Sequence, residues 1–169
     1  MSDIPTFKFA LKDDHHNEDQ FLPTRAHDTD TGWDVRCAVE TRIKPGEHVI
    51  IPLGFRVFAP PGWWLELRPR SSSFIKRHLH ALYGVIDETY EGEVGFCTQL
   101  QWKPKVSYIS LSLSDRPVTI TIGYGEKIGQ LIPVRRQNMN VDKISNEEFN
   151  KLTNGRAASR GAGGFGSSG

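Results

Sequence analysis

The sequence predicts an all-β subunit, a jelly roll or distorted β-barrel with one short helix. Short runs rich in β-branched and aromatic residues recur along the chain, and turn sequences such as Lys44-Pro45-Gly46 and Pro60-Pro61-Gly62 separate them. The 169 residues include 16 glycines and 10 prolines, which favours many short strands and turns. Together these observations are typical of double-sheet and barrel architectures.

Each strand prediction rests on apolar residues at alternate positions or on a short, strongly apolar run. In the first half of the chain we expect strands at residues 6–11, 33–39, 48–52, 55–59 and 63–67. In the second half we expect strands at residues 94–102, 106–113, 117–122 and 128–134. The strands 106–113 and 117–122 would form an extra hairpin within residues 103–124.

Helical structure is expected at two places. Ser145-Asn146-Glu147-Glu148 forms a capping box ahead of an apolar pair, which predicts one short helix. Residues 71–77 predict a single helical turn capped by a serine. The β domain is expected to span residues 1–153, and the Gly/Ser-rich residues 154–169 to form a flexible C-terminal arm.

Composition limits the class of protein. The length fits one domain with a core of its own. A net charge of +1 argues against a surface that coats nucleic acid, so no nucleic-acid partner is expected. The N-terminus lacks the apolar region of a signal peptide, and no apolar run is long enough to span a membrane. We therefore expect a cytoplasmic protein without a membrane partner.

The histidines and cysteines predict neither a zinc site nor a disulfide. The polar segment 12–30 contains three histidines, but their spacing fits no zinc pattern, so a solvated loop is expected there. Cys37 and Cys97 lie in strand-like runs and are expected to be buried, reduced thiols.

The segment 84–93 is the strongest candidate for a functional site. Strand-like residues at 85–86 and 94–97 flank it, which predicts a tight β-turn or hairpin carrying Asp87 and Tyr90. Free backbone groups at the mouth of such a hairpin would bind a flat ligand, such as a nucleobase, as a strand edge does. Asp87 would then hold a water and Tyr90 would cover a ring. The alternative is an ordinary surface hairpin with a solvated aspartate.

The C-terminal tail carries a second candidate. Residues 161–166 have the spacing G-x-G-x-x-G, but neither the strand before it nor the helix and acidic residue after it, which a dinucleotide site requires, is present. A glycine-rich backbone can still wrap phosphate oxygens with its N–H groups. Arg160 would add charge-assisted bonds, and Phe165 would stack on a flat ring. The alternative is a disordered tail.

Three further segments contain polar residues that need partners. Arg70 and the serines at 71–73 follow a strand and would favour an anion, or would simply cap a helix. Gln130 lies in an apolar strand, so it must bond either a phosphate or another core group. Asp34 also lies in a strand between apolar neighbours, and a buried carboxylate there must be bonded or paired, with a structural role favoured.

These five segments, in this order, resemble the five motifs of the trimeric dUTPase family, the deoxyuridine triphosphate nucleotidohydrolases. The matching residues are 31–38, 69–73, 84–93, 125–132 and 160–169, so the resemblance spans nearly the whole chain. The third and fifth segments are the most specific.

The resemblance implies a jelly-roll subunit and a homotrimer with active sites between subunits, over which the C-terminal arm closes. It implies that dUTP and water give dUMP and pyrophosphate with Mg²⁺. Asp87 would activate the water that attacks the α-phosphorus, and Tyr90 would pack on the deoxyribose and exclude a 2′-hydroxyl.

The resemblance also implies the substrate contacts. The backbone near Ala81, Gly84 and Val85 would bind the uracil edge. The phosphates would be held by a larger set, namely Arg70, Ser71, Ser72, Gln130 near the α-phosphate and Arg160 at the γ-phosphate. Phe165 would lie over uracil, and Gly166, Ser167 and Ser168 would complete the phosphate cover. Asp34 would serve Mg²⁺ through its water shell or support the site.

Three features depart from the family pattern. Ser72 stands where the family usually has a glycine, Thr89 replaces a common acid or glycine, and the connection 103–124 is longer than usual. One alternative is an enzyme of the same fold that acts on dCTP, alone or with dUTP. The related dCTP deaminases use a glutamate on the strand after the third motif. Cys97 stands at the corresponding position here, so deamination is disfavoured. A second alternative is a catalytically idle trimer used as an interaction module.

Overall fold

The structure is a computed structural model that describes residues 4–12, 18–101 and 119–154. The chain divides into two compact units, residues 1–136 and 137–169. The first unit contains all the strands of the described residues, and the second contains a helix. The predicted boundary after residue 153 falls inside the second unit and stays a prediction. Neither α-helix among the described residues has the length and apolar character of a membrane span.

The described residues of the first unit form eleven short strands and two helical turns. The strands are β1 (Lys8–Leu11), β2 (Trp33–Arg36), β3 (Thr41–Ile43), β4 (His48–Pro52), β5 (Phe55–Phe58), β6 (Trp63–Pro69), β7 (Leu79–Ala81), β8 (Gly84–Ile86), β9 (Gly95–Leu100), β10 (Ile120–Ile122) and β11 (Lys127–Arg135). The helical turns are a 3-10 turn (Asp19–Phe21) and α1 (Ser71–Ile75). The all-β prediction is confirmed, although the three-residue strands β3 and β7 were not predicted.

The strands pair in antiparallel fashion, mostly with partners distant in sequence. One sheet has the order β2-β11-β6-β8 and another the order β4-β9-β7, while β1 pairs with β5 and β10 pairs with β3. Such pairing of non-consecutive strands in separate sheets agrees with the predicted jelly roll.

A single core holds the sheets together. Alternate side chains of the strands point into it, among them the fully buried Phe55, Phe96, Ile51 and Leu131. Cys37 is also buried, its Sγ donates to the Val39 carbonyl, and burial raises the pKa of this thiol. The prediction of a buried reduced thiol is therefore confirmed for Cys37, whereas the free Cys97 is half-buried.

The prediction that residues 85–86 and 94–97 form one hairpin is wrong. β8 pairs with β6, whereas β9 lies between β4 and β7 in the other sheet. The reason is that β9 buries every second residue, Phe96, Thr98 and Leu100, and packs in the centre of its own sheet. The intervening segment therefore crosses between sheets and carries a tight turn at residues 87–90, which was the other predicted form.

The serine cap predicted for the helical turn is also wrong. Arg70 is the N-cap residue of α1 and makes no side-chain capping bond, while Ser71 already lies in the helix. Ser73 is buried, and its hydroxyl donates to the Ile128 carbonyl at 2.8 Å. That bond ties α1 to β11. The predicted hairpin within residues 103–124 falls largely outside the described residues, although residues 120–122 form β10, paired with β3.

The second unit contains the predicted capped helix. The helix α2 spans Asn146–Thr153, and the Ser145 hydroxyl accepts the Glu148 backbone N–H at 3.1 Å. Residues Glu147 and Lys151 form an exposed ion pair one turn apart. The capping-box prediction is confirmed.

Candidate active site

A buried charge cluster is centred on Asp34 of β2, whose exposed fraction is 6%. Lys127 Nζ lies 2.9 Å from Oδ2, and Arg70 Nε lies 3.2 Å from Oδ1. Gln130 Nε2 donates to Oδ1 at 3.2 Å. The prediction that this carboxylate is buried and paired is confirmed. For Gln130 the sequence left two partners open, a phosphate or another core group. The structure shows a hydrogen bond to a core group, the Asp34 carboxylate.

Strand register assembles this cluster. β2 and β11 pair Asp34 with Gln130, and β11 and β6 pair Gln130 with Arg68. Arg70 follows two residues later, at the entry to α1. Asp34 holds the guanidinium of Arg70 at Nε, and among the described residues its terminal nitrogens have no partner, so they are available to an anion.

Beside this cluster lies a cavity of about 420 Å³ between α1 and the turn before β11. We call it the basic cavity; it is lined by Arg36, Arg70, Ser72, Ser73, Lys76, Arg77, Gly125, Glu126 and Lys127. The predicted phosphate residues Arg70 and Ser72 thus face one concave surface. Ser71, between them, is exposed.

Asp87 and Tyr90 occupy the tight turn after β8. The Tyr90 N–H donates to the Asp87 carbonyl at 3.1 Å, and the Tyr90 hydroxyl donates to the Glu93 carbonyl at 2.9 Å. The tyrosine hydroxyl lies so close to Gly92 that a Cβ there would be 2.5 Å from it. Within the described ranges the exposed Asp87 carboxylate has no hydrogen-bond or ion-pair partner. It is therefore available to a ligand or a water.

Two glutamates fix this turn at its ends. Glu88 Oε2 accepts the Gly62 N–H at 2.9 Å and pairs with Arg136 Nη1 at 2.9 Å. Glu93 Oε1 accepts the Gly54 N–H at 3.2 Å, and its Oε2 pairs with Lys12 at 3.0 Å. Sequence reasoning missed both glutamates. The available signal was the presence of two more acidic residues, Glu88 and Glu93, within six positions of the candidate Asp87.

A second concave surface is lined in part by the Tyr90 turn. It encloses about 590 Å³ and is lined by β1, β5 and residues 88–91, with Phe9, Val57 and Phe58 among its apolar members. We call it the apolar groove. Tyr90 lines this groove and does not line the basic cavity, so the two surfaces are distinct within one chain.

The two groups of predicted site residues lie at different places on one sheet. Asp87 follows Ile86, which pairs with Leu65 of β6, whereas Gln130 pairs with Arg68 of the same strand. Because β8 and β11 also flank β6 on opposite sides, the backbones of Asp87 and Gln130 are on the order of 15 Å apart. One chain does not bring them together.

The remaining predicted residues are placed as follows. Gly84 pairs with Leu67 and Val85 with Glu66, and the Val85 side chain is exposed. Ala81 is buried on β7 in the other sheet, where it pairs with Thr98. The predicted arm residues lie outside the described residues, namely Arg160, Phe165, Gly166, Ser167 and Ser168.

Comparisons with known proteins identify the family of this chain. The sequence profile of the dUTPase family matches residues 18–169. The deoxyuridine 5'-triphosphate nucleotidohydrolase of Mycolicibacterium gilvum is 33% identical over 150 residues, which cover 88% of this chain and 87% of the relative.

Solved structures show the same fold. The dUTPase of Staphylococcus bacteriophage 80alpha with dUPNHPP superimposes with a TM-score of 0.73 at 25% identity, covering 97% of this chain and 98% of that one. A mutant dUTPase from phage phi11 of S. aureus, described as coordinating a structural Mg(II) ion, gives a TM-score of 0.66 at 26% identity over 83% of this chain and 97% of that one. The profile match covers most of the sequence, and this chain belongs to the dUTPase family.

Proposed function

We propose that this chain hydrolyses dUTP to dUMP and pyrophosphate. Membership of the dUTPase family supports the substrate. The observation that carries the proposal is the Asp87 carboxylate, which is exposed and has no partner within the described ranges, in a turn that Glu88 and Glu93 fix from both sides. A carboxylate so placed can orient a water and accept its proton.

In the proposed reaction the Asp87-bound water attacks the α-phosphorus and pyrophosphate leaves. Displacement at phosphorus depends on positioning and on neutralising charge, so no covalent intermediate is needed. Tyr90 packs on the deoxyribose, where the bond of its hydroxyl to Glu93 fixes the ring. Backbone groups near Ala81, Gly84 and Val85 bind the uracil edge.

The phosphates are bound by residues at the charge cluster. Asp34 fixes the side chains of Arg70 and Gln130, which face the triphosphate together with Ser71 and Ser72. From the arm, Arg160 binds the γ-phosphate, Phe165 covers uracil, and Gly166, Ser167 and Ser168 complete the phosphate cover. Ordering of the arm on the substrate would exclude bulk water from the site.

Magnesium fits this chain as an ion carried by the substrate. The described residues contain no group of three acidic, histidine or cysteine side chains that would hold a metal. Asp34 has both oxygens bonded to Lys127, Arg70 and Gln130, so its proposed role is to support the site or to reach the ion through water. Mg²⁺ keeps several waters and binds substrate phosphates, whose charge it neutralises.

The separation of Asp87 from Gln130 supports sites that are shared between copies, as they would be in the proposed homotrimer. Both residues are assigned to the α-phosphate, yet their backbones are on the order of 15 Å apart in one chain. In the proposed homotrimer a second copy brings its Gln130 cluster to the first copy's Asp87. The C-terminal arm then closes over this shared site.

Pyrophosphate release with Mg²⁺ from dUTP, dCTP, dTTP and UTP in parallel tests the function. We expect release from dUTP alone, with dUMP as the nucleotide product. Asp87→Asn should abolish turnover and keep nucleotide binding, because the amide preserves the shape of the side chain but accepts no proton. Release from dCTP would favour the alternative pyrophosphatase, and no release from any substrate would favour the interaction module.

A further inference from the structure

The basic cavity concentrates positive charge in a chain whose net charge is only +1. Five cationic side chains and one acidic side chain line it, namely Arg36, Arg70, Lys76, Arg77, Lys127 and Glu126. Three of the cations, at positions 36, 76 and 77, lie outside the segments assigned to the phosphates. The cavity therefore carries more positive charge than the residues so far assigned to the phosphates account for.

Four of the five cations are already bonded. Arg70 and Lys127 pair with Asp34, and the Arg36 Nη1 donates to the Gly125 carbonyl at 2.8 Å. Arg77 Nη2 lies 2.7 Å from Glu126 Oε1. The exposed ammonium of Lys76 has no bonded partner in the parts of the chain that the structure describes. Lys76 therefore offers an incoming anion its whole ammonium group, whereas Arg70 offers only the terminal nitrogens that Asp34 does not hold.

The backbone of α1 places Lys76 beside the predicted phosphate residues. The Lys76 N–H donates to the Ser72 carbonyl at 2.9 Å, and both side chains line the cavity. Residues four apart lie on one face of a helical turn. An anion bound at Ser72 and Arg70 would therefore extend toward Lys76 and then toward Arg77.

We propose that Lys76 and Arg77 bind the β- and γ-phosphates, the part of the substrate that leaves as pyrophosphate. This inference rests on the proposed function. Glu126 opposes the binding of phosphate by Arg77. Its Oε2 accepts the Gly123 N–H at 3.1 Å, which holds Oε1 against Arg77. Phosphate oxygens compete with this carboxylate for the guanidinium. Glu126 thereby limits the affinity for pyrophosphate and favours its release.

The proposal predicts that the two products respond differently to the same substitution. Pyrophosphate contains both phosphates assigned to Lys76 and Arg77, whereas dUMP retains only the α-phosphate. A tenfold change in affinity corresponds to about 1.4 kcal/mol, the size of effect expected when one ammonium contact to a phosphate is lost. We therefore expect Lys76→Ala to weaken pyrophosphate binding about tenfold and to leave dUMP binding unchanged.

Calorimetric titration of the full-length protein with magnesium pyrophosphate and, separately, with dUMP tests this. Lys44→Ala is the matched control, because it removes one charge from an exposed lysine in a turn that does not line the cavity. Lys76→Arg should restore most of the affinity. Equal effects of Lys76→Ala and Lys44→Ala, or parallel loss of dUMP binding, would overturn the proposal.

Glu126→Gln provides an opposite test within the same cavity. Removing its charge frees Arg77, so we expect pyrophosphate to bind several-fold more tightly and to inhibit dUTP turnover at lower concentration. Unchanged or weaker binding would contradict the competition between Glu126 and phosphate. Calorimetry measures pyrophosphate binding without turnover. Failure of the Lys76 proposal can therefore be distinguished from failure of the proposed dUTP hydrolysis. A chain that releases no pyrophosphate from dUTP refutes the proposed function, whatever Lys76 does.

Discussion

Glu88 and Arg136 join the Asp87 turn to the end of β11. Glu88 Oε2 lies 2.9 Å from Arg136 Nη1 and also accepts the Gly62 N–H, while the Arg136 N–H donates to the Gly62 carbonyl at 2.8 Å. The three residues close a ring of bonds. Gly62 has a φ of +79°, a conformation that other residues adopt only with strain. The ring therefore fixes the residue next to the proposed base at two points.

We expect Glu88→Ala to lower kcat for dUTP about tenfold with a smaller change in KM. The substitution leaves the carboxylate of Asp87 intact but removes the two bonds that Glu88 makes to Gly62 and Arg136, so the water is misaligned. Glu88→Gln keeps an acceptor for Gly62 and should restore part of the rate. Steady-state kinetics at saturating Mg²⁺ measures both parameters.

Glu91→Ala is the matched control for this prediction. Glu91 lies in the same segment, is exposed, and carries the same charge, and no bond of its side chain is present within the described ranges. If Glu91→Ala lowers kcat as much as Glu88→Ala does, the effect comes from charge near Asp87 and not from the ring.

The sequence predicted individual strands and the helix cap better than it predicted how the strands pair. The strand at 128–134 and the capping box at Ser145 carry strong local patterns, and both are present. The pairing partner of residues 85–86 was wrong, because the choice between a local hairpin and a distant strand depends on which face of each sheet the core buries.

For the site as well, local sequence motifs predicted which residues matter but did not predict which of them contact each other. Motif spacing located Asp34, Arg70 and Gln130, but their mutual contacts arise from register between strands far apart in the chain. The bond between Glu88 and Arg136 was not predictable, because the two residues are 48 positions apart in the sequence and only the fold brings their side chains to 2.9 Å.

Asp34→Asn should destabilise the fold by about 2 kcal/mol, because it leaves Arg70 and Lys127 partly buried without their counter-charge. The KM for dUTP should rise as well, since Arg70 and Gln130 lose their fixed orientation. Urea unfolding followed by tryptophan fluorescence measures the first effect. Asp28→Asn, at a fully exposed carboxylate, should change neither quantity beyond error.

Gly92→Ala should reduce discrimination between dUTP and UTP. A Cβ at this position would lie 2.5 Å from the Tyr90 hydroxyl, so the ring must move and its bond to Glu93 must break. Because Tyr90 is proposed to exclude a 2′-hydroxyl, its displacement should raise kcat/KM for UTP relative to that for dUTP. Gly123→Ala tests for a general effect of adding a methyl group, since its φ is not positive and the nearest atom to its Cβ position, an oxygen of Glu126, lies 3.9 Å away. An unchanged dUTP/UTP ratio in Gly92→Ala would remove Tyr90 from sugar selection.

Mixing two inactive variants tests whether sites are shared between copies. Asp87→Asn and Gln130→Ala each lack one of two residues whose backbones lie on the order of 15 Å apart in one chain. When both variants are co-expressed and assemble at random, a site that takes Asp87 from one copy and Gln130 from another is intact about one time in four. We therefore expect co-purified mixed oligomers to recover about a quarter of the wild-type rate, although neither variant alone is active. If each site lay within one chain, every site would carry one substitution and no activity would return.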